Sequence, residues 1–206
     1  MCMRRTIEAL RTGILGQLKL DTDVPEQEWA RHPRINESAD DPRQDGKTWE
    51  SWLYNQDDIL IVLSFNVRNL NADFNLQPIT LHGHSFRTVR VFIYDMNKRP
   101  DVVGITPQQL VDALIKKLPI QKDSIYSIER TAGDSFSPVQ LGHVLDLYIR
   151  NTGETWDIGP NLTEEKFQAA SARITARIAA ALNDLLPVAK YYAENRDNIL
   201  AGRVRP

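Results

Sequence analysis

His82 and His84 flank a glycine in the stretch Leu81-His82-Gly83-His84-Ser85-Phe86, the place where residue type and spacing most suggest chemistry. If the chain is extended there, both imidazoles point to one side and can share a metal ion. Gly83 between them lets a ligand or another backbone come close. A zinc site needs more than two protein ligands. His143, at the head of a second apolar stretch, can complete a three-histidine set if its strand lies beside them. Without a metal, the same histidines hydrogen-bond locally or face water at the entry to a strand.

Leu-His-Gly-His-Ser-Phe followed by a strand resembles the zinc segment of the 6-pyruvoyltetrahydropterin synthase family. Asp101-Val102-Val103-Gly104, leading into a helix, continues the likeness over about a quarter of the chain. The resemblance implies a T-fold and zinc, with a third histidine from the preceding strand and a catalytic cysteine just upstream. Here Asn69 stands near the place of that histidine and Pro78 near that of the cysteine. Multicopper oxidases also carry Leu-His-Gly-His, but their His-Cys-His stretch is missing. The chain has no Gly-rich phosphate loop, no Gly-x-Ser-x-Gly elbow and no His-Glu-x-x-His. Acid pairs such as Asp40-Asp41 and Asp57-Asp58 offer oxygens to a hard cation, but a solvated face is the better reading.

Composition narrows the possible partners. With 25 basic and 27 acidic residues the net charge is −2, so bulk charge recruits neither nucleic acid nor an anionic membrane. The single cysteine, Cys2, allows no disulfide within the chain and no thiolate zinc site. The pattern predicts a cytoplasmic protein, or a virion component if viral. Arg4 and Arg5 precede an amphipathic stretch rather than an apolar signal core, and no apolar run is long enough for a membrane span. The sequons at Asn36 and Asn161 are therefore expected to be silent.

The elements that would position these residues predict one α+β domain over residues 1–206. Its mostly antiparallel sheet of four to five strands would pack with an N-terminal helix, a central helix and a long C-terminal helix. Ile7, Leu10, Ile14, Leu15 and Leu18 make the stripe of a helix over residues 4–20, weakened by Gly13 and Gly16. Residues 21–58 read as a long acidic excursion broken by Pro25, Pro33 and Pro42. Trp29, Trp49 and Trp52 lie within it, either pinning the loop to its own core or anchoring a partner.

The period then shortens to that of strands at 59–65 and 86–94. Thr106-Pro107-Gln108-Gln109 is a capping box with proline at the first helical position, and it predicts a helix to Leu118. Strands at 124–130 and 143–150 follow, joined by a polar turn, and a further extended piece at 154–158. Asn161 with Glu164 is expected to cap a helical segment over 163–201 carrying Phe167, Ala170, Ile174, Ile178, Leu182 and Leu185 on one face. Pro187 is expected to stop or kink it. Its many alanines suit close packing on its own sheet or at a subunit interface.

This order of elements resembles bacteriophage tail-terminator and related neck proteins, which form rings closing the tail tube. The resemblance covers roughly residues 4–150 and implies a non-enzymatic assembly protein without cofactor, whose partners are identical subunits or other assembly proteins. Arg203 and Arg205 at the basic end would meet the acidic excursion of a neighbouring copy. A divergent zinc-binding T-fold protein and an immunity-type binding protein are the alternatives.

Overall fold

The computed structural model describes residues 3–18, 48–66, 79–81, 84–86, 88–97, 105–119, 126–128, 142–150, 157–158 and 162–203. Trp29, His82, Arg205 and the polar turn at 132–134 lie outside the described residues. So do residues 19–47, which make up most of the acidic excursion.

The apolar run at 59–65 forms β2 (Ile59–Asn66), a strand buried at every position. Only a strand covered on both faces can be apolar in both alternating sets of side chains. It pairs on one side with β1 (Thr48–Gln56) and on the other with β5 (Thr88–Asp95), antiparallel in both cases. Next come β7 (His143–Ile149) and β6 (Tyr126–Ile128), giving the sheet order β1-β2-β5-β7-β6 with every pair antiparallel. A second, small sheet holds β3 (Ile79–Leu81) between β4 (His84–Phe86) and β8 (Asp157–Ile158), with β3 and β8 parallel. The chain is thus mixed α+β, with three helices among the described residues: α1 (Met3–Leu15), α2 (Pro107–Ile115) and α3 (Glu164–Leu200).

Strand alternation separates two cores. Ile59, Ile61, Leu63 and Phe65 of β2, Val89, Val91 and Ile93 of β5, and Leu145, Leu147 and Ile149 of β7 share one cluster with all three helices. Leu60, Val62 and Phe92, joined by Tyr94, form a separate cluster on the other face. Residues i and i+2 of a strand share a face, so this division follows directly from the pleat. The three helices therefore cover the same side of the large sheet.

The Thr106 signal holds in detail. Its hydroxyl accepts from the Gln109 N–H at 3.2 Å, and the Gln109 side chain accepts from the Thr106 N–H at 2.9 Å. The stripe behind this cap, Leu110, Leu114 and Leu118, is buried. Removing such a cap typically costs about 1 kcal/mol. Thr106→Ala is accordingly expected to lower the urea unfolding free energy by about that amount, and an unchanged transition would mean that the box does not hold α2.

Three expectations require correction. The end of the 21–58 excursion is strand β1 closed by a turn, because a bulge between Trp52 and Tyr54 interrupts the period of two that would have revealed it. The single strand expected over 86–94 is two strands, β4 and β5, in different sheets. Of the extended piece expected at 154–158, the described residues are the two of β8, and they are a strand. The cap of α3 is Thr163, accepting from the Lys166 N–H at 3.4 Å, with Glu164 and Glu165 favourably placed in the first turn.

Pro187 does not end α3, which runs unbroken for 37 residues. An interior proline costs roughly 3 kcal/mol. Beyond it, however, Val188, Ala189, Tyr192, Ile199 and Leu200 are all buried in the same core. At about 1.5–3 kcal/mol for each large apolar side chain, that burial outweighs the local penalty, and Pro187 itself lies on the exposed side. Gly13 likewise has a packing reason. A Cβ there would lie 3.2 Å from Cγ2 of Thr175, so α1 approaches α3 closely at this point. Just past the end of α1, the Gln17 carbonyl accepts from Asn183 of α3 at 3.4 Å.

Candidate functional site

Leu81 stands opposite His84 in the antiparallel register of β3 and β4. His82 lies outside the described residues, and with it the expectation that His82 and His84 alternate on one extended strand. His143 opens β7 in the large sheet, in register with Tyr94, whereas His84 belongs to the small sheet. Among the described residues, no group of three or more His, Cys, Asp or Glu is placed to hold a metal. On β1, Trp49 stands opposite Phe65 and Trp52 opposite Val62, partners that belong to opposite faces of β2. Arg203 is exposed just beyond α3, its N–H donating to the Asn198 carbonyl at 2.8 Å.

The densest polar cluster centres on Asp95, the last residue of β5 and only 5 % exposed. One carboxylate oxygen, Oδ2, accepts from the Tyr192 hydroxyl of α3 at 3.0 Å. The other, Oδ1, accepts from the Asn97 N–H at 2.9 Å and lies 3.6 Å from Nη1 of Arg196. Arg196 also donates to the Asp57 carbonyl at 3.2 Å, and Asn97 donates through Nδ2 to the Asp58 carboxylate at 2.6 Å. Asp57 and Asp58 close the β1–β2 hairpin with φ of 51° and 64°. That left-handed pair matches the twist of adjoining strands, and aspartate tolerates it better than most residues. The Asp95 N–H donates to the Gly142 carbonyl at 2.8 Å, which brings the start of β7 into the same cluster.

Two further polar contacts join other elements. Tyr126 of β6 donates its hydroxyl to Asp184 of α3 at 3.0 Å. On the sheet face away from the helices, Arg90 of β5 pairs with Asp146 of β7, and its guanidinium lies 4.5 Å from the centre of the Phe92 ring. Ser64, opposite Arg90 in register, is wholly buried and its hydroxyl has no hydrogen-bond partner among the described residues. An unsatisfied buried hydroxyl costs on the order of 1–3 kcal/mol.

Chemically these groups are donors and acceptors engaged with one another. Both Asp95 oxygens are occupied, and the Tyr192 phenol is held as a neutral donor. Burial raises its pKa above the ordinary value of 10, and the adjacent Asp95 charge and hydrogen bond add to the effect. Burial raises Tyr126 in the same direction, with Asp184 contributing. A raised phenol pKa means that folding favours the protonated form. The resulting stability is present below the unfolded value of about 10 and is lost as pH climbs toward the folded values. In an alkaline titration followed by tyrosinate absorbance, Tyr126 and Tyr192 are expected to stay silent until the chain unfolds. Ionisation of both alongside ordinary tyrosines, with native circular dichroism retained, would contradict these contacts.

Sequence reasoning did not find Asp95, Tyr192 or Arg196, because their partners lie far away along the chain; Asp95 and Tyr192 are 97 positions apart. The only local signal was a glycine immediately before a strand at Gly142. Among the described residues, no helix is long and apolar enough to cross a membrane. Comparison with protein-family models, curated proteins and solved structures finds no match for this chain.

Proposed function

We propose that this chain is a non-enzymatic assembly protein, a ring component of a virion tail or neck of the tail-terminator kind. The observation that carries the reading is the use made of the buried carboxylates. Asp95 ties β5 to α3, its neighbours Asn97 and Arg196 reach on to the β1–β2 turn, and Asp146 binds β7 to β5. Such groups make a stiff building block, and a ring subunit requires stiffness and contact surface rather than a reacting centre. The element order on which the resemblance rests, helix, strands, capped helix, strands, runs through the large sheet with all its helices on one side. A five-stranded antiparallel unit with its helical layer on a single face is our reading of the subunit.

Contact surface is available on α3, where Ala169, Ala172, Ala176 and Ala180 are exposed while Ala179, Ala181 and Ala189 pack inward. The exposed Arg203 agrees with a basic end that meets an acidic neighbour.

Light scattering or sedimentation at several protein concentrations tests the proposal. A discrete closed species, hexameric or of another ring order, is expected. A strictly monomeric protein carrying one tightly held zinc that is lost in His82→Ala or His143→Ala would overturn it in favour of the pterin synthase-like reading. A metal-free monomer at every concentration would overturn the self-assembled ring and leave assembly on another protein, or the immunity-type binding reading, in its place.

A further inference from the structure

We draw no further inference here: the strongest candidate, the outer edge of β1 as a strand-addition surface bearing Trp49 and Trp52, is interrupted by a bulge next to Trp52, and nothing in the structure shows what covers it.

Discussion

Asp95→Ala should lower the unfolding free energy by about 2–4 kcal/mol, the order expected when a buried carboxylate that accepts two hydrogen bonds is removed and a buried donor is left without an acceptor. With an m-value of about 2.5 kcal/mol/M, the urea midpoint should fall by about 1–2 M. The size of the effect comes from what the substitution leaves behind. The Tyr192 hydroxyl loses its acceptor where water has little access, while the Asn97 N–H and the Arg196 guanidinium lose a carboxylate partner at the more open edge of the cluster. Asp95→Asn keeps an oxygen for one donor but loses the charge that faces Arg196, and it should cost about half as much. Tyr192→Phe should cost about 1–2 kcal/mol in the parent and much less in the Asp95→Ala background. A double-mutant cycle would report that difference as coupling. An Asp95→Ala protein within about 0.5 kcal/mol of the parent would mean that this cluster does not hold the sheet to α3.

Gly142→Ala should cost about 2–4 kcal/mol, although it adds only a methyl group. The residue has φ of +84°, where an L side chain is strained. Its Cβ would lie 2.6 Å from the Asp95 carbonyl oxygen and 2.9 Å from the Tyr94 ring. Backbone cannot move aside as the end of a side chain can, so β7 must shift away from β5. The Asp95 N–H to Gly142 carbonyl bond, worth about 1 kcal/mol, would be weakened in the process. The register already shifts between Ile93 and Tyr94 at this point, so the strand has little freedom to absorb the movement.

Gly13→Ala provides the contrast. It lies in an ordinary helical segment, its nearest neighbours are side-chain atoms of Thr175 at 3.2 and 3.3 Å, and alanine gains about 1 kcal/mol of helix propensity. Its net effect should stay within about 1 kcal/mol. Thermal or urea unfolding of the two variants side by side checks the comparison, and equal losses would remove the backbone argument at Gly142.

The helices were the most legible elements because their signals are local. Leu10 and Ile14, Leu110 and Leu114, and Ile174 and Ile178 recur at helical spacing, and each pair is buried as that period requires. β2 was legible for a related reason, since an apolar run covered on both faces survives without any partner being known. Legibility failed where one residue broke a period. The bulge at Trp52 concealed β1, and the strand-like pattern from Phe86 to Tyr94 merged residues of two different sheets into one expected strand. It failed again at Pro187, where a local rule predicted a stop and distant burial decided otherwise.

The histidine segment shows the same division. Spacing by itself established that His82 and His84 can share a ligand in extended chain. It could not establish that His84 belongs to a strand pairing antiparallel with β3, with Leu81 as its partner. Nor could it establish adjacency, and β7 with His143 lies in the other sheet from His84.

By itself, then, the sequence determined the α+β class, the three helices, the capping box at Thr106 and the apolar strand β2, all of which depend on interactions within a few residues. Only the tertiary structure decided that the helices share one face of the large sheet, and that Asp95, Tyr192, Arg196 and Gly142 meet. Those contacts cross many tens of residues of chain. Periodicity and turn chemistry describe where a chain bends and which face it buries, but which faces meet is chosen by packing of the whole.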